Sequence, residues 1–132
     1  MVDYAITLLP DHKLDEQIRL SLRDFPEEHQ NINQTPFPPV KFRPISLNIE
    51  AKAPGSGKND MMVQLSIWVA AQFKKLEVLR GAKSVDIGLP LISIEGHDWK
   101  GHMAYQVEDG SIVSVDLLSS SPTNYNANKS IV

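Results

Sequence analysis

The stretch I45-S-L-N-I-E-A-K-A-P-G-S-G-K-N-D60 sets the architecture of this chain. Its first half alternates: Ile45, Leu47, Ile49 and Ala51 form an apolar face, and Ser46, Asn48, Glu50 and Lys52 a polar one. Period-two alternation is the mark of a strand. Residues 53–59 hold a turn with two glycines, and Asp60 is placed to cap a helix over about residues 61–80. On that helix Met62, Leu65, Val69, Phe73 and Leu76 form an apolar stripe, and Gly81 stands where a helix-terminating glycine belongs. A strand, a tight turn and a long helix make the first two parts of a βαβ unit.

Working outward, residues 2–9 alternate as a second strand, with Asp3 at its start on the face of smaller side chains. Residues 12–24 read as a short helix, with Leu14, Ile18, Leu22 and Phe25 in phase and Pro26 as its stop. The segment 26–44 contains five prolines and little periodicity, so it reads as a long connection. Beyond the long helix, residues 89–96 and 98–107 read as strands. Asp109-Gly110 signals a turn, and residues 111–118 complete a hairpin. The order β-α-loop-β-α-β-β-β predicts an α/β (α+β) fold, a mixed sheet flanked by helices. Residues 1–118 form the expected domain, and 119–132 a polar C-terminal tail.

The bulk numbers narrow the class. A chain of 132 residues with 42% hydrophobic and 22% charged residues suits one folded domain. With no cysteine, disulfide frameworks and cysteine-based zinc sites are excluded, and a cytoplasmic or nuclear location is expected. The first residues do not read as a signal peptide, and no apolar run reaches the roughly 18 residues of a membrane helix. A net charge of −3 gives no global excess of basic residues for neutralising phosphates.

The glycines of 53–59 do not make a phosphate-cradling loop. Such a loop needs glycine five positions before its Gly-Lys pair and Ser or Thr after it, and here Lys52 and Asn59 occupy those places. The histidines carry no metal pattern, since His97 and His102 on one extended strand would face opposite sides. No Ser-His-Asp set stands out, because no serine has a nucleophile-elbow context.

Glu50 and Lys52 are the stronger pair. They share a face at the end of a strand, just before a turn into a helix, where α/β sheets gather their ligands. If the first strand lies alongside, Asp3 joins them. Two carboxylates offer hard oxygens to a magnesium that keeps several waters, and a neighbouring ammonium stabilises charge growing on a phosphoryl oxygen. Gln64 and Trp68, four apart on the long helix, share a face with Met61 and Ala71. Gln64 as a site residue and Gln64 as a solvent-facing residue stand level on spacing alone.

Asp3, then Glu50-Ala51-Lys52, then Gln64-Leu65-Ser66-Ile67-Trp68 resembles the PD-(D/E)XK nuclease superfamily, with a fungal nuclease-like branch as the nearest match. The resemblance extends through VDYAITLLP, QLSIWVAAQFKKLEVLR and LPLISIEGHDWK, over roughly residues 1–118. Val2 stands where proline is often found. The resemblance implies a restriction-endonuclease-like core and metal-dependent hydrolysis of phosphodiester bonds in DNA, or less often RNA. It implies Asp3 and Glu50 as ligands of Mg2+, with Mn2+ as a substitute, Lys52 as the catalytic lysine and Gln64 as an auxiliary residue. It also implies a helix ahead of Asp3 and one after residue 118, so the chain reads as trimmed at both ends. A second copy or a partner chain completing the core is expected on that ground. Two other readings stay open: a nuclease-derived binding or interaction module without activity, and a small non-nuclease enzyme of fungal metabolism with an apolar pocket around Trp68 and Trp99.

Overall fold

In the computed structural model, residues 3–56, 58–81, 84–119 and 129–130 are described. Six strands form one sheet in the order β1 to β6: Tyr4–Thr7, Ile45–Lys52, Leu89–Glu95, Asp98–Gln106, Ile112–Ser119 and Lys129–Ser130. Neighbours are antiparallel except β2 and β3, which are parallel. A parallel pair needs a long crossover, and helix α2, Lys58–Arg80, supplies it. The predicted α/β class and mixed sheet are therefore present. Strand β6 pairs Val113 with Ser130 and Ser114 with Lys129, so the sheet continues into the segment expected to be only a polar tail.

Helix α1, His12–Leu22, is capped by Asp11, whose carboxylate accepts from the Leu14 backbone at 2.8 Å. It buries Ile18 and Leu22. The connection that follows is ordered by one side chain. Asn33, buried, donates from Nδ2 to the carbonyls of Val40 at 2.6 Å and Arg43 at 2.9 Å, and accepts from the Ile45 backbone at 2.9 Å. That amide fastens the loop to the first residue of β2 and so fixes where β2 begins.

Helix α2 starts three residues earlier than expected, which places Asp60 in its first turn rather than at the cap. An acidic side chain there still faces the positive end of the helix dipole. The core lies between α2 and the sheet: Val69 and Phe73 meet Val85, Leu89, Leu91, Ala104 and Ile112.

The face of β2 that α2 covers is the polar one. Asn48 and Glu50 are buried, whereas Leu47 and Ile49 are only partly so. Register carries both faces across the sheet. Leu91 lies beside Asn48 and Ser93 beside Glu50, with His102 next to Leu91 and Ala104 next to Leu89. The other face runs through Tyr4, Ile6, Ile49, Ile92, Ile94 and Met103, with Tyr105 beside Val113. Tyr4 is 64% and Trp99 55% exposed there, with no described element laid over them.

Burying the polar face is tolerable because its donors find partners. Trp68 Nε1 donates to Asn48 Oδ1 at 2.7 Å, and Asn48 Nδ2 donates to Gln72 Oε1 at 2.7 Å. Gln72 Nε2 donates in turn to the Ile45 carbonyl at 3.2 Å. The inward stripe of α2 is accordingly Met61, Leu65, Val69, Gln72 and Phe73, with Met62 and Leu76 less deeply set than the sequence suggests. No helix among the described residues is long and apolar enough to cross a membrane.

Candidate metal centre

The edge strand β1 lies antiparallel against β2, with Tyr4 opposite Ile49. One residue further out, Asp3 comes beside Glu50, 47 positions away in sequence. The two residues clasp each other through the backbone. The Asp3 amide donates to Glu50 Oε2 at 3.2 Å, and the Ala51 amide donates to Asp3 Oδ2 at 2.9 Å. Each carboxylate is thus oriented through one oxygen. Lys52 follows Glu50 by two residues and lies on the same face, where its Nζ stands 3.2 Å from Glu50 Oε1.

Burial is uneven across this trio. The Glu50 side chain is 1% exposed and that of Lys52 27%, and Asp3 lies open to solvent. Glu50 Oε1 is buried and receives no hydrogen bond, so the Lys52 ammonium reaches it as a charge rather than as an aligned donor. A buried oxygen in this state is costly by itself, on the order of 1–3 kcal/mol. Among the described residues no three His, Cys, Asp or Glu side chains gather as a metal-binding cluster.

Gln64 is exposed and Trp68 half-buried. Trp68 bonds Asn48, which fixes that stripe of α2 above β2. Four helical residues span about 6 Å, and two strand residues span nearly the same. Gln64 therefore stands one turn before Trp68, at the level that Glu50 holds two residues after Asn48. No hydrogen bond joins Gln64 to the carboxylates.

The turn after Lys52 behaves as a turn. Gly55 adopts a φ of 77°, and its amide donates to Glu95 Oε1 at 3.3 Å, a carboxylate where a phosphate loop would need an open donor. Gly57 lies outside the described residues. The Gly96 amide donates to the Lys52 carbonyl at 3.0 Å, which ties the β3–β4 turn to the end of β2. Gly96 has a φ of 62°, and an added Cβ would come within 2.6 Å of Pro54 Cγ, so only glycine suits this position.

His12, His29 and His97 are exposed. His102 is buried, and its ring bridges two strands. Ser93 Oγ lies 3.0 Å from Nε2, and Asp116 Oδ1 lies 2.8 Å from Nδ1. Sequence reading singled out no Ser-His-Asp set, yet one is assembled here across β3, β4 and β5. A signal for it existed in the two-residue turn Gly96-His97. That turn sets the β3–β4 register, placing Ser93 and His102 on one face of neighbouring strands. Trp68, on α2, bonds Asn48 on the covered face and Trp99, paired with Ile94, lies on the other face, so the two tryptophans do not line one pocket.

Comparison with known proteins gives one finding. The model of a family described as PD-(D/E)XK nuclease superfamily matches residues 1–125. No curated protein and no solved structure matches the chain.

Proposed function

The chain belongs to the PD-(D/E)XK nuclease superfamily, and from that premise we propose that it hydrolyses phosphodiester bonds of DNA, with RNA as the lesser alternative, through Asp3, Glu50 and Lys52. The observation that carries this reading is the buried Glu50 Oε1, left without a hydrogen bond inside a clasp that orients both carboxylates. An oxygen in that state suits a divalent cation, and Mg2+, or Mn2+ in its place, fits the donor set. Asp3 and Glu50 would hold the ion, which when bound supplies charge neutralisation and acidifies water.

The chain's own groups do the rest. The backbone amides of Asp3 and Ala51 hold the two carboxylates in place without help from a cation. Burial of Glu50 beneath α2 keeps bulk water from competing for its oxygens. The Lys52 ammonium, held near Glu50 and partly open to solvent, positions a water or stabilises negative charge growing on a phosphoryl oxygen. Gln64, on the exposed stripe one turn from Trp68, is the auxiliary group, available to a phosphate or to a water beside the carboxylates.

Cleavage of single- and double-stranded DNA should be followed with Mg2+, Mn2+ and EDTA. Wild type is expected to cleave only with metal, and Lys52→Ala to lose about 10²–10³ in rate, the size of one stabilising donor. Equal background cleavage by both proteins sinks the reading. Salt-dependent DNA binding without turnover replaces it with a nuclease-derived binding module.

A further inference from the structure

The Ser93–His102–Asp116 chain invites comparison with a hydrolase triad, but Ser93 is no nucleophile. It sits within a strand, 2% exposed and on the face that α2 covers, with no sharp turn to present it. Its position points elsewhere. Ser93 is the register partner of Glu50 on the neighbouring parallel strand, about 4.8 Å away across the sheet. Glu50 has a buried oxygen lacking a donor, and the residue beside it carries a hydroxyl that does not supply one.

Elementary hydrogen-bond chemistry explains why. An Asp116 carboxylate only accepts, so Nδ1 of His102 carries the proton and donates to Oδ1. In the tautomer whose one N–H is at Nδ1, Nε2 is a lone pair. In that tautomer the Ser93 hydroxyl, whose Oγ lies 3.0 Å from Nε2, is the donor. A hydroxyl has one proton, and this one is committed away from Glu50. Asp116 at the far end is 61% exposed, and His102 between them is 5% exposed, so the pair is anchored from the surface inward.

We infer that Ser93, His102 and Asp116 form a positioning relay that withholds the Ser93 proton from Glu50 and so keeps Glu50 Oε1 free for a divalent cation. This rests on the metal-centre reading above. Without the imidazole lone pair, the Ser93 hydroxyl is released beside Glu50, its register partner, whose Oε1 lacks a donor. A metal must then displace a hydrogen bond to bind. His102 acts through Ser93: its ring nitrogens bond Ser93 and Asp116, not Asp3 or Glu50.

Two measurements test it. The first is a long-range proton–nitrogen NMR spectrum of the full chain. Nε2 of His102 is expected at the shift of an unprotonated ring nitrogen and Nδ1 at that of a protonated one. The opposite tautomer overturns the relay whether or not metal binds.

The second is Mn2+ affinity, read by electron paramagnetic resonance of the free ion. His102→Phe is expected to weaken Mn2+ binding about tenfold, the scale for groups that orient metal ligands. His102→Phe combined with Ser93→Ala should return to within about twofold of wild type, because no hydroxyl remains to occupy Glu50. A merely structural histidine predicts the reverse, a double variant at least as impaired as the single one, and that result overturns the proposal.

Where the buried substitution prevents folding, Asp116→Ala alters an exposed side chain instead. It frees the ring to take the other tautomer and should weaken Mn2+ binding in the same direction. Unchanged affinity in a folded Asp116→Ala protein that has switched tautomer also overturns the proposal. Wild type that binds no Mn2+ yet shows the expected tautomer overturns the metal-centre reading and supports the hydrogen-bond assignment.

Discussion

The two faces of the sheet depart from the usual rule in the strands around β2. Beneath α2 lie Asn48, Glu50, Ser93 and His102, all buried, while Tyr4, Ile6, Trp99 and Tyr105 on the opposite face are exposed. Polarity did not decide which face was covered. The covered face has partners for its polar groups except Glu50 Oε1: Trp68 and Gln72 for Asn48, the Asp3 backbone for Glu50 Oε2, Ser93 and Asp116 for His102. A buried polar group is stable when satisfied and expensive when not. The difference teaches that burial follows hydrogen-bond partners as well as polarity, and that the covered face holds both the core and the candidate site.

That contrast can be broken experimentally. The largest effect should come from removing the cover. Phe73→Ala empties the contact between α2 and the sheet and should cost about 3–5 kcal/mol in urea unfolding. Next is Asn48→Leu, which strands Trp68 Nε1 and Gln72 Oε1 beneath the helix. A loss of roughly 2–4 kcal/mol is expected from two buried groups left unpaired. A loss under about 0.5 kcal/mol would mean that water replaces the amide and that the buried polar face is not closed. On the opposite face, Trp99→Ser should shift stability by no more than about 0.5–1 kcal/mol. A cost as large as that of Phe73→Ala would show that the face is covered in solution.

The smallest effect belongs to the β4–β5 turn, which serves neither face. Hydrogen bonds from the Ser111 hydroxyl and backbone hold the Asp109 carboxyl below the usual carboxylate range. A carboxylate with a depressed folded pKa stabilises the fold above its unfolded pKa, and that contribution disappears as pH falls through the folded value. The difference in Tm between wild type and Asp109→Ala should therefore be small at neutral pH and vanish in acid. A difference that persists below pH 2, roughly the lower bound for such carboxylates, would assign the effect to the turn backbone rather than to charge.

Much of this was readable beforehand. Alternation over 45–52 locates β2, apolar runs and turn signals locate β3 to β5, and the strand-end positions of Asp3, Glu50 and Lys52 agree with their proximity in the fold. The covered face was not readable, for a physical reason. Helix α2 carries apolar residues on its outer side too, with Val63 54% and Ile67 66% exposed, so its own pattern does not say which stripe faces inward. The decisive residues are Gln72 and Trp68, whose polar tips match Asn48, and a match between distant residues has no period to detect. The relay was hidden differently. Ser93, His102 and Asp116 meet only once two hairpin registers are set, and the second contains an irregularity between Gly101 and His102.

The clasp between Asp3 and Glu50 has a consequence for assembly. Strand β1 pairs with β2 over only Tyr4–Thr7, too short to hold its register by side-chain pattern alone. A slip of one residue would throw Asp3 to the opposite face and leave Glu50 Oε2 and the Ala51 amide without their partners. The residues of the site thus act as the alignment pin of the sheet edge. The chain cannot close that edge in the wrong register and keep the site, so correct folding and completion of the site are one event.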